Sequence, residues 1–72
     1  MLKNNKNLGL YIQKNRITNH ISIKKMANLL DISTDFYLSY ENGEKSIYAD
    51  HLFYIAKILN IDISQLVNVY LE

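Results

Sequence analysis

The chain has no proline and only two glycines, Gly9 and Gly43, in 72 residues. Strand-rich folds need frequent tight turns, and those turns draw on glycine and proline for their backbone angles. A chain this poor in both is disfavoured as a sheet and has little room for long loops. Helices joined by short connections remain, and the apolar residues agree, recurring three and four positions apart rather than every second one.

Five helical segments are expected. The first runs from Leu8 to Ile17, with Leu8, Tyr11 and Ile12 on one face, and closes where Asn19 or His20 adopts a left-handed backbone. Ser22 caps the second, which reaches Leu30 through Met26 and Ala27 and breaks at Asp31. The third extends from Ser33, its cap, to Asn42, with Asp35 favourably placed in the first turn and Gly43 just past the end. The fourth covers about Ala49 to Leu59, with Leu52, Ile55, Ala56 and Leu59 facing inward. The fifth covers Asp62 to Leu71, opened by an Asp62–Gln65 capping-box spacing, with Ile63, Leu66, Val67 and Tyr70 as its apolar stripe. Tyr11, Tyr37, Tyr40 and Tyr54 are expected at core or half-buried positions, and His20 and His51 at the surface.

This length suits one domain, residues 1–72, with a flexible basic arm over about residues 1–6. Cysteine is absent, so neither a disulfide nor a thiolate metal site exists, and the two separated histidines make no metal-ligand pattern. No cofactor or small-molecule site is evident. No nucleophile–base pair, carboxylate pair or phosphate loop suggests an enzyme. No apolar run approaches the length of a membrane span, and no signal-peptide core follows the basic start, so a cytoplasmic protein is expected. Charge is unevenly placed. Residues 1–25 carry six cations and no acid, while residues 26–72 carry two cations against seven acids. Such polarity suits an anionic partner, although scattered surface lysines can also serve only to solvate.

The second and third segments, joined through Asp31-Ile32-Ser33, have the form of a helix-turn-helix. On pattern alone this unit is either a DNA-reading element or an αα corner in a small bundle. At this point the chain resembles the lambda-repressor-like (Cro/XRE-type) helix-turn-helix family from Leu8 to Leu66. The resemblance rests on Leu8-Gly9 with Arg16, Ile21-Ser22, Met26-Ala27, Ile32-Ser33, Tyr40-Glu41-Asn42-Gly43, the run from Leu52 to Ile61, and Ile63-Ser64-Gln65-Leu66, all in order and without gaps. It implies a compact all-α, five-helix DNA-binding fold and a structural ion pair between Arg16 and Glu41. It also implies that the third helix enters the major groove of double-stranded DNA.

Thr34, Asp35, Leu38 and Ser39 are then the candidates for base readout: Ser39 as donor or acceptor, Leu38 against a thymine methyl, Asp35 accepting from cytosine N4. Candidate phosphate contacts are Ser22, Ile23, Lys24 and Lys25 at the start of the second helix, with Asn42 and Lys45 at the far side of the third. Lys3, Lys6 and Lys14 would add attraction. The chain departs from the family where Ile23 replaces a frequent glutamine, where His20 and Asp31 replace glycines, and where Ile47 replaces a proline. The recognition stripe, too, holds one anion and no cation. These features also suit a protein-interaction module that keeps the fold with weak or no DNA binding, exposing Ile23, Phe36 and Leu38. Otherwise a homodimeric repressor or autoregulator is expected, with no sensing or catalytic domain. Its dimer interface would be Val69, Tyr70 and Leu71, left uncovered near the end of the fifth helix, extended by Ile58 on the outer side of the fourth. The abundance of Asn, Ile, Lys and Tyr hints at an AT-rich bacterial or phage genome.

Overall fold

The computed structural model describes residues 4–72, in which the chain forms five α-helices and no strand. They are α1 (Asn5–Thr18), α2 (Ile23–Leu29), α3 (Thr34–Glu41), α4 (Ala49–Leu59) and α5 (Ile63–Leu71). α1 runs through the centre, packing against α3, α4 and α5, while α2 packs on α3. Leu8 and Ile12 of α1 meet Met26, Tyr37, Tyr40, Ile55 and Leu66 in one buried core.

Four of the helices end by one device. His20 (φ 58°), Asp31 (φ 59°), Gly43 (φ 76°) and Asn60 (φ 57°) each take the left-handed conformation just beyond a helix. The next residue then donates its N–H back five positions: Ile21 to the Arg16 carbonyl, Ile32 to Ala27, Glu44 to Ser39 and Ile61 to Ala56, at 2.9–3.1 Å. This is the Schellman closure, which satisfies carbonyls that the helix end would otherwise orphan. At three joints the donor is an isoleucine, and Ile21, Ile32 and Ile61 all pack against the core. Each joint therefore reverses the chain and inserts an apolar anchor in the same step.

Helix starts are capped as their residue types require. The Ser22 hydroxyl accepts from the Lys25 amide (3.0 Å) and the Ser33 hydroxyl from the Phe36 amide (3.1 Å). At α5 the Gln65 side chain reaches back to accept from the Asp62 amide at 3.0 Å. The Asn4 side chain caps α1 by accepting from the Asn7 amide at 2.9 Å.

Four expectations about helix extent and burial need correction. Helix α1 starts at Asn5 rather than Leu8, so residues 5 and 6 belong to a helix and not to a flexible arm; Lys3 lies outside the described residues. The Asn4 amide also donates to the Tyr70 carbonyl at 2.9 Å, tying this end to α5. Tyr54 is 57% exposed, because Leu52, Ile55, Ala56 and Leu59 take the inward side of α4 and leave Tyr54 on the other. Val67, expected to face inward, is 37% exposed, while Leu66 is fully buried. His51, expected at the surface, is half-buried against Tyr40.

Gly9 marks the closest approach in the fold. A Cβ built there would lie 2.3 Å from the Glu41 carbonyl oxygen and 2.6 Å from that of Tyr40. Both are backbone atoms at the end of α3, so they cannot step aside without moving the helix. A glycine in a helix interior ordinarily costs about 1 kcal/mol relative to alanine. Here the sign inverts: Gly9→Ala is expected to destabilise the domain by about 2–3 kcal/mol through overpacking. Urea unfolding measures this directly; an alanine variant as stable as the parent would contradict the close approach.

Candidate nucleic-acid interface

α2 and α3 are held at a fixed relation by the turn between them and by a buried ionic cluster behind them. In the turn, Asp31 donates its N–H to the Asn28 carbonyl and Ile32 to that of Ala27 (3.1 and 3.0 Å). Ala27 is buried at this junction, where a larger side chain would push the helices apart.

The cluster centres on Glu41, the last residue of α3. Arg16 Nε donates to its Oε2 at 2.7 Å and Nη2 to its Oε1 at 3.3 Å, forming a two-pronged pair. The Tyr37 hydroxyl donates to the same Oε2. Arg16 spends a further N–H, from Nη1, on the Ile21 carbonyl at 2.9 Å. Both charged residues are buried, at 7% and 4% exposure. The Glu41 hydrogen bond is the main reason that the Arg16 guanidinium is held charged, with its pKa above the ordinary value despite burial. Burial first, and the bond to Glu41 second, push the Tyr37 phenol far above its usual ionisation range. The expected Arg16–Glu41 pair is therefore present, extended by a tyrosine that sequence reasoning places only in the core.

With this side fixed, the opposite side of α3 faces out. Thr34, Asp35 and Asn42 are exposed and Leu38 is half-buried. Asp35, Leu38 and Asn42 fall at i, i+3 and i+7, on one stripe. Ser39, expected on the same stripe, is only 8% exposed and is removed from the base-readout set. Its hydroxyl donates to the Phe36 carbonyl at 2.5 Å, and its own carbonyl accepts from the Glu44 and Lys45 amides. The chain leaving Gly43 folds back over it.

Around this stripe, Lys24 and Lys25 are exposed at the start of α2, and Ser22 is exposed with its hydroxyl engaged as the cap. Ile23 and Phe36 are half-buried against the core rather than fully exposed. Lys45 is exposed, with Nζ 5.1 Å from the centre of the Phe36 ring, a cation–π distance. Phe36 stacks edge-on against Tyr40, whose hydroxyl lies 2.5 Å from His51 Nδ1 on α4. Desolvation raises the Tyr40 pKa. This link from α3 to α4 is not visible in the sequence, where His51 stands eleven residues from Tyr40 with no spacing rule to join them.

The expected interface residues, Ile58 on α4 and three at the end of α5, are partly covered. Ile58 and Tyr70 pack against the core, Val69 is half-buried, and Leu71 is exposed. The Asn4–Tyr70 backbone bond brings the N-terminal end of α1 beside the end of α5.

Two short helices joined through a closed turn, the second presenting a polar face outward beside exposed lysines, define a helix-turn-helix DNA-binding domain. The chain belongs to the family of Cro/C1-type HTH DNA-binding domains, whose model matches residues 12–72. Among solved structures, it is similar to the clp gene regulator ClgR of Corynebacterium glutamicum: 15% identity, 92% of this chain and 86% of that one covered, TM-score 0.80. It is also similar to the restriction-modification controller protein C.AhdI of Aeromonas hydrophila, with 18% identity, 86% and 94% coverage and a TM-score of 0.78. The Fe(II) form of HppE contains the same fold within a longer chain: 22% identity, 88% of this chain but 33% of that one, TM-score 0.77. At these identities the likeness is one of fold. No curated protein matches the chain. Among the described residues no helix is long and apolar enough to cross a membrane.

The ionic cluster yields two expectations. Arg16→Ala should cost about 3–5 kcal/mol, because it strands a buried carboxylate. A double-mutant cycle with Glu41→Gln should then show strong coupling, and additive effects would mean that the pair is not formed in solution. The raised Tyr37 pKa also has a pH consequence. Its stabilising contribution is complete below the unfolded tyrosine value of about 10 and is lost as pH rises above it, because the unfolded chain then releases a proton that the folded chain retains. Tyr37→Phe should therefore flatten the alkaline fall in denaturation midpoint; an unchanged slope would exclude this contribution.

Proposed function

We propose that the chain is a sequence-specific regulator of transcription that binds double-stranded DNA as a homodimer with α3 in the major groove, acting as a repressor or autoregulator. The observation that carries this reading is the outward stripe of α3 together with exposed lysines from two other segments, Lys24 and Lys25 at the start of α2 and Lys45 just past α3. Thr34, Asp35 and Leu38 are the base-reading set, with Asp35 suited to a cytosine amine. Lys24, Lys25, Lys45, Asn42, the Ser22 hydroxyl and the amides at the start of α2, including that of Ile23, contact phosphate. Dimerisation follows from reach: one short helix reads only a few base pairs, and two half-sites about one helical turn apart supply the remaining specificity. The likeness to ClgR and C.AhdI, a gene regulator and a controller protein, supports the regulatory part. Such a protein works in the cytoplasm and needs no cofactor.

One observation favours a second reading, a protein-interaction module on the same fold. The α3 stripe itself carries Asp35 and no cation. An anion at the tip of a recognition helix repels phosphates unless a base amine meets it.

Fluorescence anisotropy with duplex from upstream of the protein's own gene, against a scrambled duplex and across salt concentrations, separates the two. DNA binding requires a preference for the upstream duplex and an affinity that falls with salt. Lys24→Ala and Lys25→Ala should weaken binding to all duplexes alike and reduce the salt slope by about 1 for each phosphate no longer neutralised. Asp35→Ala should instead change which duplex is preferred. If neither duplex binds at low salt, the interaction-module reading holds.

A further inference from the structure

Two large and well-exposed aromatic side chains, Phe53 (60%) and Tyr54 (57%), stand side by side on α4. They occupy the centre of a stripe formed by Asp50, Phe53, Tyr54 and Lys57, at i, i+3, i+4 and i+7, and these four side chains line one shallow groove. All four are exposed and none belongs to the core. Asp50 lies in the first turn of α4 and Lys57 in the last, where each complements the helix dipole. The dipole accounts for the two charges, but it does not account for two aromatic rings held in water between them.

The stripe is complementary to itself. A twofold axis midway between residues 53 and 54, with the helices antiparallel, sets Asp50 of each copy opposite Lys57 of the other, and Phe53 opposite Tyr54. The two charges then lie about 10 Å apart along each helix, so both ion pairs form at once at the ends of a stacked aromatic centre. A closed twofold contact requires one patch to match itself in this way. No comparable match exists at the end of α5, where Tyr70 already packs on its own core.

We propose that the outer stripe of α4 is the contact between two copies of this chain. The proposal rests on the homodimeric reading above and relocates its interface from α5 to α4. A second copy is the occupant that this charge pattern fits. A phosphate backbone would meet Asp50, and an unrelated partner has no reason to find opposite charges symmetrically disposed about an aromatic pair.

Sedimentation velocity of the full chain without DNA, from micromolar to sub-millimolar concentration, tests it. The parent chain should dimerise. Asp50→Lys should weaken association about tenfold, because each ion pair occurs twice across the axis and becomes a repulsion. Lys57→Asp should do the same, and the double variant Asp50→Lys with Lys57→Asp should restore association to within about twofold of the parent. Tyr54→Glu should leave a monomer with an unchanged helical far-UV spectrum. A parent chain that stays monomeric, a double swap that does not restore association, or a Tyr54→Glu variant that still dimerises would overturn the proposal. DNA binding is scored separately. A chain that passes the swap test but binds no duplex loses the DNA reading and keeps this one, and a chain that binds its duplex as a monomer does the reverse.

Discussion

The carboxylate of Glu41 governs how this domain is assembled. Removing a charge from water is costly, and a buried carboxylate is tolerated only when donors replace its hydration. Glu41 accepts two N–H groups of Arg16 and the hydroxyl of Tyr37. Arg16 in turn is anchored to the Ile21 carbonyl, so one guanidinium joins the body of α1, the chain just past its joint with α2 and the last turn of α3. Apolar packing could hold these three elements together, but it has no preferred direction. The fork of hydrogen bonds does, and it fixes which side of α3 faces inward. Gly9 makes the geometry reachable. It lies two turns before Arg16 on the same face of α1, and its missing side chain lets that helix settle onto the end of α3.

Much of this architecture is legible in the sequence because its controls are local. A helix start depends on a residue whose oxygen can reach an amide three positions on, and Ser22 and Ser33 supply that. A helix end depends on a residue that tolerates positive φ, and His20, Asp31 and Gly43 stand where that is expected. Asn60, the fourth of the kind, obeys the same rule without having been expected to. The apolar stripes of α2 and α4 reveal their inward faces for a similar reason, since helical periodicity depends on neighbours and not on distant contacts.

The site is legible only in outline. Spacing places Ser39 on the outward stripe, and geometrically it lies at the edge of that stripe. What buries it is the return of the chain after Gly43, a consequence of tertiary path that no periodicity contains. His51 and Tyr40 meet for the same kind of reason: the path of the chain brings the first turn of α4 within side-chain reach of α3, pairing a ring nitrogen and a hydroxyl that are ordinary in their own segments. Tyr54 departs in the opposite direction. Aromatic residues are usually buried, yet the core side of α4 is already filled by Leu52, Ile55, Ala56 and Leu59. Residue type predicts burial there, and competition for a finite core decides against it.

The bond from the Asn4 amide to the Tyr70 carbonyl has a consequence for how the chain assembles. Every joint between consecutive helices closes over a few residues and needs little loss of chain entropy. This contact instead closes a loop of sixty-six residues, nearly the whole chain. Loop closure becomes more costly with length, and a contact of this separation gains nothing until the intervening helices have collapsed. Near-neighbour contacts, α2 on α3 and α5 on α4, can form without it, whereas the pairing of α5 with α1 has to span the rest of the chain. In the native state that seam is more than its one bond, because α1 and α5 pack on each other as extensively as α2 and α3 do, so parting it opens a large part of the core at once.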